Sequence, residues 1–72
     1  MDTIRVEAYA GYQADQQPTA VHLLGMRRRV QRITRRWREP DGNYFRVQLE
    51  GGRSCVLQHS YRQNRWRVIS LT

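Results

Sequence analysis

Seven arginines crowd into twelve residues in the middle of this chain, and their side chains are the ones best suited to chemistry. They are Arg27, Arg28, Arg29, Arg32, Arg35, Arg36 and Arg38. A guanidinium group binds phosphate or carboxylate through two parallel hydrogen bonds and stacks on flat rings. Trp37 and Tyr44 lie within and just after this arginine-rich segment (residues 27–38), where they could stack on bases. The pattern predicts phosphate binding supported by aromatic side chains.

Two other interpretations of the arginine-rich segment stay open. One is a solvated charged surface whose long side chains cover apolar groups with their stems. The other is a binding surface for an acidic protein. The chain has no lysine, so all thirteen of its basic residues are arginine. Codon bias in a GC-rich genome explains this excess, and so does selection for guanidinium groups; composition does not separate the two. Crowded like charges cost stability unless a polyanion or an acidic face compensates them.

The other reactive side chains predict neither catalysis nor metal binding. His22, His59 and Cys55 are the soft ligands, and their spacing is not that of a structural zinc site. A Cys55–His59 nucleophile pair lacks a third group to orient it and an oxyanion-binding motif. Gly51-Gly52 lies in a predicted hairpin and not before a helix, so it is no phosphate loop. We therefore expect a protein that is not an enzyme and takes no cofactor.

Size and composition limit the class of protein. The chain has 72 residues, of which 39% are hydrophobic and 26% charged, and its formal net charge is +7. A chain this short forms one domain, here residues 1–72, and buries too little surface to support a deep catalytic cleft. No stretch approaches the roughly 18 consecutive apolar residues of a membrane span. Seven aromatic residues among patterned aliphatic ones argue against disorder.

The N-terminus and the cysteine content predict a cytoplasmic protein. Residues 1–5 lack the basic and apolar regions of a signal peptide. Cys55 is the single cysteine, whereas a secreted domain this small usually carries several disulfide bonds. We expect no membrane partner. We expect a monomer or a weak dimer, because a short sheet leaves an edge strand exposed.

Alternating side chains predict strands at both ends of the chain. Residues 4–9 alternate apolar and polar side chains, and a polar loop over 11–18 follows, so residues 1–17 form an N-terminal strand and loop. Residues 18–72 form a β meander. Within it, Phe45, Val47 and Leu49 share one face of a strand, and Tyr44, Arg46 and Gln48 share the other. The remaining predicted elements are a glycine turn at 50–53, a strand at 54–59, a loop at 60–64 and a strand at 65–71.

The arginine-rich segment permits two structures. Met26, Val30, Ile33 and Trp37 have the spacing of one stripe on a helix, which gives an α+β alternative with a basic helix at 26–38. Against it, the segment is rich in β-branched residues and lacks an N-cap, which favours a strand entered from a strand at 19–24. A strand needs a bulge near Gln31 or Arg32, so that Val30 and Ile33 face the same way.

The two indoles and the strand pattern suggest how the sheet closes. In so small a domain each indole supplies much of the buried area, so we expect Trp66 in the core, and Trp37 in the core or half exposed. Cys55 is expected to be a small buried residue. The whole pattern predicts a mainly β domain, in which about five antiparallel strands curl into a small SH3-like or OB-like barrel.

A series of landmarks runs through residues 18–71. They are Pro18, the apolar run 20–24, Gly25, a basic stretch with Val30 and Ile33, Trp37-Arg38-Glu39, Tyr44-Phe45-Arg46-Val47, Gly51-Gly52, Val56-Leu57 and Trp66-Arg67-Val68. This order resembles a family of small uncharacterised bacterial domains of mainly β structure. Members occur alone, and a similar segment ends the polymerase-like subunit of bacterial mutagenic repair complexes. The resemblance implies an all-β fold and a DNA-repair context, and it carries over no catalytic residues.

These observations together predict a binding protein. The first expectation is a non-enzymatic module that binds DNA or RNA with little sequence preference, because the arginines at 27–38 neutralise backbone phosphates. The alternative is a protein–protein interaction module, an accessory of a DNA-repair or other nucleic-acid assembly, which presents the same arginines to an acidic surface or accepts a partner strand at a sheet edge.

Overall fold

The computed structural model describes residues 3–10 and 16–72, which form seven strands and no helix. The strands are β1 (Thr3–Ile4), β2 (Val6–Ala10), β3 (Gln16–Leu23), β4 (Met26–Glu39), β5 (Gly42–Leu49), β6 (Ser54–Ser60) and β7 (Trp66–Leu71). The predicted all-β class is confirmed. The alternative of a basic helix at 26–38 is wrong, because that segment is strand β4. Since the described residues contain no helix, none of them belongs to a helix that could cross a membrane.

The strands form one curled antiparallel sheet with the order β1-β7-β6-β5-β4-β3-β2. Only Arg5 separates β1 from β2, so the N-terminal segment pairs with β7 at one end and with β3 at the other. That segment therefore bridges the two edges of the sheet, and the predicted barrel-like curl is confirmed. The curl is looser between β3 and β4, whose ladder runs only from Leu23↔Met26 to Ala20↔Arg29.

The N-terminal elements differ in detail from the prediction. The expected strand at 4–9 is divided at Arg5, whose carbonyl accepts a hydrogen bond from the His22 amide at 3.0 Å. This division makes the strand count larger than expected. The predicted loop at 11–18 ends earlier than expected, because Gln16, Gln17 and Pro18 already belong to β3. Its residues 11–15 lie outside the described part of the chain.

Strand β4 carries two β-bulges. Its register with β5 shifts by one residue at Gln31 and again at Thr34. The first bulge is the predicted one, and the second was not foreseen. Each bulge adds a residue that has no partner on β5 and so changes which face the following side chains occupy. As a result Val30 and Ile33 both pack against the core.

The core lies on the inner face of the curl. It consists of Val21, Leu23, Phe45, Val47, Leu49, Cys55, Leu57, Trp66 and Val68. Trp66 is 7% exposed and packs against Phe45, with ring centroids 5.6 Å apart, so its predicted core position is confirmed. Cys55 is buried as expected, and this burial raises the pKa of its thiol to about 11. Trp37 is half-buried and lies outside the core.

Candidate nucleic-acid interface

Strand β4 distributes its arginines over both faces of the sheet. Residues directly opposite each other on paired strands have their side chains on the same face. Arg35 is opposite Arg46 and Trp37 is opposite Tyr44, on the outer face, whereas Arg36 is opposite the core residue Phe45. By the same rule the outer face holds Arg27, Arg29, Arg32 and Arg35, and the inner side holds Arg28, Arg36 and Arg38. The seven predicted arginines therefore do not form one surface.

Arg27 is neutralised inside the protein. Its Nε donates to Oε2 of Glu7 at 2.6 Å, and its Nη2 donates to Oε1 at 3.0 Å. His22 lies between the two on β3, with Nε2 2.9 Å from Oε2 of the same carboxylate. The Arg27 guanidinium, and after it the His22 ring, lowers the pKa of Glu7 to about 2. Glu7 in turn raises the pKa of Arg27. This arrangement removes Arg27 from the arginines available to a ligand.

Two further arginines hold the β5–β6 turn. Arg28 is half-buried, and its Nη1 donates to the carbonyl of Glu50 at 3.4 Å. The backbone amide of Arg29 donates to Oε1 of Glu50 at 3.0 Å. Arg36 and Arg38 line a small cleft beside Gln16, where β3 and β4 diverge. Trp37 and Tyr44 line the same cleft, so Arg36 and Arg38 lie beside the outer aromatic pair, whereas Arg28 and Arg29 contact the β5–β6 turn.

The outer face carries a compact group of cations and aromatic rings, here called the outer cluster. Its members are Arg32, Arg35 and Trp37 on β4, and Tyr44 and Arg46 on β5. Trp37 stacks on Tyr44, with ring centroids 5.4 Å apart and planes 16° apart. The Arg35 guanidinium carbon lies 4.9 Å from the centroid of the Trp37 ring. Of the predicted site residues, the structure thus brings four together.

The charges of the outer cluster have no carboxylate partner among the described residues. Arg32 Nε donates to Oε1 of Gln48 at 3.2 Å, which leaves its charge uncompensated. Arg35 faces Arg46 directly across the β4–β5 ladder, and neither forms an ion pair within the described part of the chain. Like charges directly opposite each other destabilise a sheet. The arrangement suits an external anion.

Carboxylates do fix the orientation of the two aromatic rings. Trp37 Nε1 donates to Oε2 of Glu39 at 3.0 Å. The Tyr44 hydroxyl donates to the Asp41 carboxylate, at 3.1 and 3.0 Å from its two oxygens. Burial, followed by Asp41, raises the pKa of Tyr44, so the phenol remains a hydrogen-bond donor at neutral pH. These bonds hold the two rings in place.

Arg46 is the member of the outer cluster that sequence reasoning missed. It lies outside the arginine-rich segment, so a search for consecutive cations overlooks it. The signal was present in the alternation of residues 43–49, which puts Arg46 on the same face as Tyr44. The pairing of that face with Arg35 on β4 depends on both bulges, and the second bulge was not predicted.

In the described part of the chain, two of the side chains considered for nucleophilic or metal chemistry, His59 and Cys55, lie in other surroundings. His59 stacks on Trp66, with centroids 4.7 Å apart, and its Nε2 lies 2.8 Å from Oδ1 of Asn64. The raised pKa of Cys55 disfavours the thiolate that a nucleophile needs. Within residues 3–10 and 16–72, no three His, Cys, Asp or Glu side chains come together to hold a metal ion.

Comparison with known proteins does not identify the chain. No family model, no curated protein and no solved structure matches it. The resemblance to a bacterial β-domain family, and the DNA-repair context that it implies, therefore stay predictions.

Proposed function

We propose that this protein is a non-enzymatic module that binds single-stranded DNA or RNA through the outer cluster. The observation that carries the proposal is the pair Arg35 and Arg46, which face each other without a carboxylate partner in the described structure. Such a pair costs folding stability. A phosphate backbone that binds both guanidinium groups offsets this cost, which accounts for the arrangement.

The aromatic members of the outer cluster favour nucleic acid over other anions. Single-strand binders combine cations that follow the backbone with rings on which bases stack. Here the stacked Trp37 and Tyr44 lie directly beside the Arg35–Arg46 pair. Phosphate contacts carry no sequence information, so binding at the cluster is sequence-tolerant. The DNA-repair context that the resemblance implies is in keeping with a single-stranded DNA ligand.

The salt dependence of binding tests this proposal. We expect a single-stranded oligo(dT) to bind less tightly as salt rises, with a log–log slope of roughly −0.7 for each contacted phosphate. Changing Arg32, Arg35 and Arg46 together to alanine removes up to three contacts and flattens the slope by about 2. Fluorescence anisotropy of a labelled oligonucleotide measures this.

A matched variant controls for the loss of charge alone. Arg5, Arg53 and Arg65 are exposed and lie away from the outer cluster, so replacing all three with alanine makes the same change in net charge. This control variant should keep most of the wild-type slope. Equal slopes in the two triple variants would contradict the proposal, because binding would then follow net charge and not this site.

A second candidate function is supported by the edge of β4. Beyond Arg29 the described ladder of β4 runs only to β5, so one backbone edge of residues 30–37 has no paired strand among the described residues. An exposed edge accepts an extended segment of a partner protein through backbone hydrogen bonds, and the arginines of β4 favour an acidic one. Nuclease-treated lysate is passed over the wild-type protein and over the variant with alanine at Arg32, Arg35 and Arg46. A specific protein that the wild type captures and this variant does not would support protein binding in place of nucleic-acid binding.

A further inference from the structure

A pocket on the outer side of the sheet lies where the β4–β5 turn meets the β6–β7 loop. The Tyr61 amide donates to the carbonyl of Asp41 at 3.2 Å, and the Tyr61 hydroxyl donates to Oδ1 of Asn43 at 3.0 Å. These bonds hold the loop against the turn. The pocket has a volume of about 710 Å³, and Asp41, Gln58, Tyr61, Arg62 and Arg67 are among the residues that line it. This is within the size range of pockets that bind small organic groups.

Gln58 in this pocket has an unsatisfied hydrogen-bond acceptor. Its side chain lies on the outer face, yet the residue is only 4% exposed. Nε2 donates to Oδ2 of Asp41 at 2.9 Å and to the Tyr44 hydroxyl at 3.2 Å, which uses both amide hydrogens. Oε1 is buried without a donor among the described residues. Turning the amide over would place Oε1 against the Asp41 carboxylate, so the orientation is set and the acceptor stays unpaired.

The charges around Gln58 define what kind of group could supply the missing donor. A backbone phosphodiester carries no N–H or O–H group, so it cannot donate to Oε1. Arg62 and Arg67 line the pocket and repel a cation such as the arginine of a partner protein. The group best suited to the pocket is therefore neutral and carries N–H donors. The edge of a nucleobase has both properties.

The pocket is continuous with the outer cluster. Gln58 is directly opposite Tyr44 on β5 and opposite Arg67 on β7. With Trp37 opposite Tyr44, these residues form one row across the outer face. A strand whose phosphates contact Arg35 and Arg46 therefore lies beside the pocket, close enough for one of its bases to enter.

We propose that this pocket binds a guanine base of the single strand. Guanine presents two neighbouring donors, N1–H and the N2 amino group. The Asp41 carboxylate lines the pocket as one acceptor, and Gln58 Oε1, which is buried in the free protein, becomes the second when the Gln58 side chain rotates towards the base. Tyr61 is half exposed and supplies a ring for stacking. The inference rests on the proposed function and adds to it a preference for one base within otherwise sequence-tolerant binding.

The test compares oligonucleotides that differ at one nucleotide. Oligo(dT) with a central dG is compared with the same oligonucleotide carrying deoxyinosine, which lacks the N2 amino group, and with oligo(dT) itself. A matched pair of base-edge hydrogen bonds typically changes affinity about tenfold or more. We expect dG to bind about tenfold more tightly than dT, with deoxyinosine in between, as measured by fluorescence anisotropy at constant salt.

Two variants assign the preference to the pocket. Gln58→Met removes the amide at nearly constant volume, and Asp41→Asn replaces a carboxylate oxygen with a donor on an exposed turn. Each should abolish the dG preference, so that the dG, deoxyinosine and dT oligonucleotides bind the variant equally, whereas Gln31→Met at the exposed bulge should leave the preference intact. If Gln58→Met fails to give a cooperative thermal transition, Asp41→Asn decides the test.

The outcomes separate this inference from the proposed function. Equal binding of dG, deoxyinosine and dT by the wild-type protein, with the arginine dependence intact, overturns the guanine pocket alone. A dG preference that survives both Gln58→Met and Asp41→Asn also overturns it. Absence of binding to every oligonucleotide overturns the proposed function and the pocket with it. An arginine-containing peptide that shifts the Gln58 side-chain amide resonance, when the dG oligonucleotide does not, assigns the pocket to a protein ligand instead.

Discussion

At the scale of single residues, the charge of an arginine matters less than what already binds it. Arg27 and Arg35 occur in the same segment and both lie on the outer face, yet Glu7 neutralises the first and Arg46 opposes the second. The sequence cannot show this difference, since Glu7 is twenty residues from Arg27 along the chain and meets it only through the pairing of β2 with β3 and β3 with β4. The sequence therefore locates the arginines but does not show which of them are already paired with a carboxylate in the folded protein.

The Glu7–Arg27 pair makes a prediction about acid stability. The Glu7 carboxyl has a folded-state pKa of about 2, well below its ordinary value of 4.5. A carboxyl whose pKa is lowered on folding contributes stability above its unfolded pKa, and this contribution is lost as pH falls from about 4.5 towards 2. We expect Glu7→Gln to melt at a lower temperature than wild type at pH 7, and the two melting temperatures to converge near pH 2.

Thermal unfolding followed by circular dichroism across this pH range measures the effect. Glu39→Gln is a suitable control, because the Glu39 carboxylate accepts a hydrogen bond from the Trp37 indole and has no arginine ion pair in the described structure. A constant difference between wild type and Glu7→Gln at every pH would show that the ion pair does not contribute as described.

At the scale of elements, local patterns predicted most strands and missed the features that depend on partners. Alternation in residues 43–49 correctly placed Phe45 and Tyr44 on opposite faces. The break at Arg5 and the bulge at Thr34 were missed, because each is fixed by pairing with a distant strand and not by local sequence. Each bulge changes the alternation of side chains along β4, so local sequence does not show on which face of the sheet each arginine lies.

The β3–β4 turn contains a residue that is poorly suited to its backbone. Leu24 has a φ of 52° and Gly25 a φ of 77°, so both residues of the turn have positive φ. This is the geometry in which Asn-Gly is preferred, and leucine is disfavoured there. Leu24 is also 88% exposed, so its side chain contributes little packing.

We expect Leu24→Asn to stabilise the protein by about 0.5 to 1 kcal/mol, because asparagine tolerates positive φ better than leucine does. Urea unfolding monitored by tryptophan fluorescence measures the change. Leu24→Ala is the matched control, since alanine removes the exposed side chain and keeps the backbone penalty. If asparagine and alanine change the free energy of unfolding equally, the turn strain is not the cause.

At the scale of the whole molecule, the chain has a formal charge of +7 and folds into a sheet whose two faces differ in composition. The inner face packs the core, and the outer face carries the uncompensated cations, the stacked rings and the Gln58 pocket. The predicted curled all-β fold could be read from the sequence because it follows from alternation and turn residues. The proposed binding surface could be predicted only in part, because it combines residues of β4 with residues of β5, β6 and β7.

The central claim is that nucleic acid binds on the outer face, and the two tryptophans provide the most direct test. Their indole N–H groups give separate resonances, with Trp37 in the outer cluster and Trp66 in the core. In an NMR titration of ¹⁵N-labelled protein with oligo(dT), we expect the Trp37 indole resonance to shift progressively while that of Trp66 stays in place. A shift of neither indole, or of Trp66 alone, would contradict binding at the outer cluster.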